Sequence, residues 1–129
     1  MVLGHLIFED NAWYAKGAIR FRLFSWKLFS MIIYNITVKV DLDIHDDWMT
    51  WMTAIHIPEV MQTGCFLQHE IAKVLVDEQD GLTYSIQYRC DSMENLNRYI
   101  KDYAPALQQK HTARYKDRFV AFRTLLELL

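Results

Sequence analysis

The stretch MIIYNITVKVD, residues 31–41, alternates Ile32, Tyr34, Ile36, Val38 and Val40 with Ile33, Asn35, Thr37, Lys39 and Asp41. A side-chain period of two marks a strand with one buried face. Just after it, Asp43, Asp46 and Asp47 sit where a helix begins, offering acceptors and negative charge to unpaired amides. Trp48, Trp51, Met52 and Ile55 then recur at helical spacing. Pro58 has no N–H for the preceding turn, which predicts a kink or break at His56 and Ile57, then a short Glu59 to Thr63 turn capped by Gly64.

Phe66 to Asp77 reads as a second strand, Glu78 to Gly81 as a turn, and Leu82 to Asp91 as a third strand with Leu82, Tyr84, Ile86, Tyr88 and Cys90 on one side. Ser92 with Glu94 and Asn95 opens a second helix. Its stripe of Leu96, Tyr99, Ile100, Tyr103, Leu107, His111 and Tyr115 continues past a kink at Pro105 and ends among Arg114, Lys116 and Arg118. Phe119 to Leu129 is the fourth strand. Two strand-to-strand crossovers joined by a hairpin give an α+β, ferredoxin-like βαββαβ sandwich, a four-stranded antiparallel sheet with two helices on one face.

Closing the hairpin with Asp77 opposite Leu82 sets Leu75 against Tyr84, Ile71 against Tyr88, Glu70 against Arg89 and His69 against Cys90. Cys65 then lies about 13 Å from Cys90 at the usual strand rise, beyond disulfide reach. Ile36, Val38, Leu75 and Ile86 mark the helix-covered side, and Tyr34, Tyr84 and Tyr88 share it. The free side carries Asn35, Thr37, Lys39, Glu70, Ser85, Gln87, Arg89 and Arg123. It reads as a homodimer interface, with Lys39, Glu70, Gln87, Arg89 and Arg123 in satisfied pairs, or as solvated surface. The lack of a large apolar patch argues against a tightly hydrophobic dimer, whereas the exposed edge strand Phe119 to Leu129 favours a partner.

A chain of 129 residues that is 52% hydrophobic holds one core, and so one domain over residues 31–129. Its two cysteines read as free thiols in a reducing, cytoplasmic setting. Residues 1–30 set Lys16, Arg20, Arg22 and Lys27 against Glu9 and Asp10, and they are too interrupted for a secretory signal or a membrane span. They read as an N-terminal extension outside the fold or, over Ala18 to Phe29, as a cationic amphipathic segment suited to an anionic surface. The remaining 99 residues hold 10 basic and 14 acidic side chains, which gives a polyanion no advantage. RNA-binding versions of this plan also show aromatic rings on the free face, and here the rings point the other way. No nucleic-acid partner is expected.

His56 stands beside the Pro58 break with Glu59 nearby, where an imidazole and a carboxylate could border a pocket holding Tyr34, Tyr84 or Tyr88 and bind or deprotonate a small acidic or phenolic ligand. The plainer alternative has His56 capping a free carbonyl of the broken helix and the tyrosines as satisfied core residues. His69 with Cys90 lacks a third group to orient a thiolate and reads as a strand-end contact. Asp41, Asp43, His45, Asp46 and Asp47 lack a calcium loop's glycine, and Met52 stands where its bidentate glutamate belongs. No two histidines lie three to five residues apart and no Cys-x-x-Cys occurs, so neither metal nor cofactor is expected. Trp48, Met49, Trp51 and Met52 either clasp a flat ligand or fill the core.

Through HIPEVMQTGCF (His56–Phe66), LTYSIQY (Leu82–Tyr88) and FVAFRTLLE (Phe119–Glu127), the chain from Met31 to its end resembles a family of small bacterial proteins catalogued only as a domain of unknown function. More distantly, and by fold alone, it resembles the dimeric α+β barrel group, which includes antibiotic-biosynthesis-type monooxygenases, heme-degrading relatives and muconolactone-isomerase-like enzymes. That resemblance implies a homodimer of apposed sheet faces with a small-molecule pocket between helices and sheet in each subunit. The expected pocket comprises Tyr34, His56, Glu59, His69, Tyr84 and Tyr88, and it requires a cavity of about several hundred Å³. The alternatives are a cofactor-independent monooxygenase or isomerase with His56 as base, and a structural or protein-interaction module.

Overall fold

The alternation in residues 31–41 produces strand β3 (Met31–Asp41), with Ile32, Tyr34, Val38 and Val40 buried on one side. The computed structural model describes residues 31–129 together with two short strands that pair antiparallel, β1 (Leu6–Glu9) and β2 (Ala12–Ala15). The cationic stretch Ala18 to Phe29 lies outside the described residues. After β3 come a tight turn (Leu42–Ile44), α1 (His45–Trp51), a wide helical turn (Met52–His56), α2 (Ile57–Gln62), β4 (Gln68–Lys73), β5 (Gly81–Cys90), α3 (Met93–Asp102), α4 (Ala104–Tyr115) and β6 (Phe119–Leu128). The sheet order β4-β5-β3-β6, all antiparallel, is that of a ferredoxin-like βαββαβ sandwich. One core joins the helices to one sheet face, where Trp48, Val60, Leu96 and Leu107 pack on Ile32, Val38, Ile86 and Tyr88. Full burial of such an aliphatic side chain contributes about 1.5–3 kcal/mol relative to exposure.

The break expected before Pro58 does not occur. Pro58 sits in the first turn of α2, and the helix stays continuous because Met52–His56 widens to a π turn that absorbs the missing N–H. Gly64 ends α2 at φ +73 with its N–H donating to the Met61 carbonyl at 3.2 Å. Ser92 caps α3 as expected, its Oγ accepting from the Asn95 N–H at 3.1 Å, and Pro105 opens α4 after a kink at Tyr103. The residues at the two N-cap positions here, Asp41 and Ile44, make no side-chain capping bond. Asp47 instead accepts from the Tyr115 hydroxyl at 2.7 Å and from Arg114, while Asp41 and Asp43 accept from Arg118. These contacts tie the start of α1 to the chain leaving α4.

The β4–β5 register is displaced by two residues from the expected one. Glu70 faces Gln87, Ile71 faces Ile86, and His69 faces Tyr88 rather than Cys90. A shift of two preserves which face each side chain takes, because the pleat repeats every two residues. The cause is a longer connection. Glu78 is drawn back to Thr83 Oγ1 (2.7 Å) and Lys39, and Gly81 lies so close to β3 that a Cβ would meet the Val40 carbonyl oxygen at 2.6 Å. β4 therefore stops at Lys73, and Leu75 is 91% exposed instead of covering the sheet. The same register brings the cysteines together rather than apart. The Cys90 thiol donates to the Cys65 carbonyl at 3.3 Å and to that of Ser92 at 3.0 Å, and both thiols are buried and free.

Arg123 lies opposite Ile36 and so belongs to the helix-covered side, not the free side. The register in which Val38 meets Ala121 turns the odd-numbered residues of β6 toward the helices. Its even-numbered residues give the free side an apolar row that was not expected, with Val120, Phe122, Leu126 and Leu128 exposed at 68, 62, 40 and 43%. Apart from the buried Ile33, which lies opposite Leu126, the rest of that side is polar as read. Ser85 Oγ donates to Asn35 Oδ1 at 2.6 Å, Gln87 reaches Ser85, Arg89 stands 4.0 Å from Glu70, and Lys39 binds Asp80 at 2.8 Å.

Candidate functional site

A chamber of about 170 Å³ lies between α1, the wide turn, α4 and the sheet. The strand alternation supplies Tyr34, Ile86 and Tyr88 to its floor, and Trp48, Met52 and His56 reach it from above at helical spacing. Gln108, His111 and Thr112 come from one face of α4, at i, i+3 and i+4, and Arg123 comes from β6. Tyr34, Gln108 and Arg123 also border a wider groove of about 550 Å³ between Ile100, Ala104, Pro105 and Leu125. These three residues form the throat between the two spaces. Across it, Arg123 Nε donates to Tyr34 Oη at 2.8 Å.

The two imidazoles are uncharged at neutral pH. Burial pulls His56 down to about 4, with the nearby Lys110 and Arg123 charges acting the same way against an opposing pull from Glu59. Burial also pulls His111 down to about 4, helped by His56 and Arg123. Trp48 Nε1 donates to His111 Nε2 at 2.9 Å, which makes Nε2 an acceptor and leaves the proton on Nδ1. His56 stacks on Trp51 with ring centroids 4.9 Å apart, and its Nδ1 is shut away from solvent with no hydrogen-bond partner. Burial raises Tyr34, Tyr88 and Tyr99, so their hydroxyls keep their protons.

Of the six residues expected to form the pocket, the fold brings three together: Tyr34, His56 and Tyr88. Glu59 turns to the surface, where Lys110 Nζ lies 3.2 Å away. His69 is exposed on the edge strand with its ring 6.5 Å from Tyr88. Tyr84 points to the other end of the sheet, where its hydroxyl is 2.6 Å from His45 Nε2. His56 does not cap a carbonyl through Nδ1. The sequence reading missed Gln108, Thr112 and the site role of His111, although polar residues on the α4 face that carries Leu107 were a readable signal. Burial raises the Cys90 thiol, the opposite of what a thiolate pair with His69 needs. The chamber alone is smaller than the expected several hundred Å³, and the groove beyond the throat is of that size. Among the described residues no group of three or more His, Cys, Asp or Glu could hold a metal ion, and no helix is long and apolar enough to cross a membrane.

Solved structures share this fold at low identity. An ethyl tert-butyl ether D (EthD) family protein of Bacillus halodurans superposes with a TM-score of 0.59 at 9% identity, covering 76% of this chain and 99% of its own. A conserved protein of unknown function from Bacteroides thetaiotaomicron, described as a possible oxidoreductase, gives 0.57 at 13% over 77% and 98%. An EthD-like protein of Ralstonia eutropha gives 0.54 at 16% over 76% and 91%. These likenesses concern the fold. No curated protein matches the sequence. The profile described as Domain of unknown function (DUF4286) matches residues 31–129, the whole of the sandwich and its chamber, and the chain belongs to that family.

Proposed function

We propose that the domain binds a small molecule in the chamber, with a ring the size of benzene against His56 and a hydroxyl or similar acidic group bonded to the imidazole. A cavity of about 150 Å³ lined by apolar side chains suffices for one such ring, and this one is about 170 Å³. The observation that carries the reading is His56, a neutral ring bordering the cavity with a buried nitrogen that no described residue satisfies. Leaving a buried polar group unpaired costs about 1–3 kcal/mol, a cost that a bound ligand removes. With a pKa near 4 the His56 ring is neutral at pH 7, so its unprotonated nitrogen can accept a hydrogen bond, and it is a weak base. The binding reading therefore stands ahead of a cofactor-independent monooxygenase or isomerase. Replacing His56 by Phe keeps the ring volume. The variant should melt no lower than wild type and lose affinity for phenols in a ligand-observed NMR titration. Undiminished phenol affinity in His56→Phe would count against the site.

The exposed apolar side chains of β6, Val120 and Phe122 before Thr124 and Leu126 and Leu128 after it, favour a homodimer through the free sheet side, since clustered exposed apolar surface marks an interaction site.

A further inference from the structure

We infer that the ligand is an aromatic carboxylate, its ring in the chamber and its carboxylate on Arg123 at the throat, an assignment that rests on the chamber-binding reading above. The first support is charge balance. Among the described residues that border the chamber and the groove there is one permanent cation, Arg123, and no Asp or Glu. Glu59, the acid nearest the wide turn, is held outside by Lys110. Arg114 and Arg118 have carboxylate partners and Arg123 has none among the described residues.

The second support is placement. Arg123 stands where the two spaces meet, and its Nε is already fixed by Tyr34 at 2.8 Å. The planar guanidinium is thereby held in position, and among the described residues nothing else bonds its remaining N–H groups, whose fork matches a carboxylate. Gln108 adds an amide at the same throat. Trp48, Tyr88, Leu107 and Phe119 line the inner end, which suits a flat hydrocarbon ring and no second charge. The field of Arg123 is felt inside, where it acts on both imidazoles to keep them neutral. A cationic ligand would meet the repulsion of Arg123 with no carboxylate on the lining to offset it, and an uncharged ring would leave the guanidinium unused.

The test is calorimetric titration of the full chain with 4-hydroxyphenylacetate and with its uncharged amide. The acid should bind roughly tenfold tighter than the amide, the usual scale for a charge-assisted hydrogen bond at a partly exposed site. The preference should vanish in Arg123→Gln and survive in Arg123→Lys, which keeps the charge. Both variants should stay folded, because Arg123 is exposed on an edge strand, and melt only slightly below wild type through the altered bond to Tyr34. Equal binding of acid and amide by wild type, or an acid preference retained by Arg123→Gln or lost in Arg123→Lys, overturns the carboxylate assignment and leaves the chamber reading standing. Failure of both probes to bind, with no shift in the NMR signals of His56 or Trp48, overturns both.

Discussion

Trp48 Nε1 donates a 2.9 Å hydrogen bond to His111 Nε2, joining α1 to α4 across the roof of the chamber. Trp48 is fully buried, so the bond lies in a dry environment. Replacing Trp48 by Phe removes the donor, leaves the imidazole acceptor unpaired and opens a small void. Adding the lost hydrogen bond to the void gives an expected loss of about 2–4 kcal/mol in urea unfolding. A loss below about 1 kcal/mol would mean that solvent reaches His111 and that the chamber is wetter than described.

Stability should fall as the solution is acidified from neutrality. His56 and His111 titrate near 6.5 when unfolded and at about 4 when folded, so between those values the unfolded chain binds protons that the native state refuses. Their contribution is fully present above pH 6.5, declines as the pH drops toward 4, and changes no further below that. The slope is at most about 1.4 kcal/mol per pH unit for each histidine. Urea midpoints measured from pH 7.5 to 4.5 check this, and the His56→Phe variant should show the shallower decline of one proton fewer. An unchanged slope in that variant would refute the low value for His56.

The two described glycines should respond differently to alanine. A Cβ at Gly81 would strike the Val40 carbonyl oxygen at 2.6 Å, backbone that cannot give way without disturbing the β3–β5 ladder. Gly81→Ala should cost about 2–3 kcal/mol in chemical denaturation. Gly64 has open space around it but sits at φ +73, so Gly64→Ala meets only the left-handed backbone penalty of about 1–2 kcal/mol. A smaller loss at Gly81 than at Gly64 would refute the close approach.

Phe122 lies opposite Thr37 on the free side of the sheet and is 62% exposed. Phe122→Asp puts a charge into the apolar row without touching the core. If that row is the contact between two copies, the variant should sediment as a monomer under conditions where wild type sediments as a dimer, with an unchanged far-UV spectrum. Identical sedimentation of the two proteins would remove the sheet face as the interface.

Strand and helix identities were legible because period-two and helical spacings are local properties of the chain. The alternation in residues 31–41, the Ser92 cap and the apolar stripe ending at Tyr115 each contained their own evidence, and each formed as read except that Tyr103 of the stripe is exposed at the kink. Errors came where distant parts of the chain set the geometry. The β4–β5 register depended on Glu78 being drawn to Thr83 and Lys39 and on Gly81 meeting Val40, partners about forty residues away in the latter case. That one displacement left Leu75 in solvent and brought Cys65 to Cys90.

Arg123 is the sharpest example. Its side of the sheet depended on which β3 residue β6 met first, and one step of parity moved it from the free side to the throat of the chamber. Composition and periodicity by themselves determined an α+β sandwich with its tyrosine-bearing side under the helices, because burial of an alternating strand admits one choice of face. Only the tertiary structure decided that His56, His111 and Arg123 share one cavity, because their meeting requires three separate elements in a fixed register, and no local pattern carries that information.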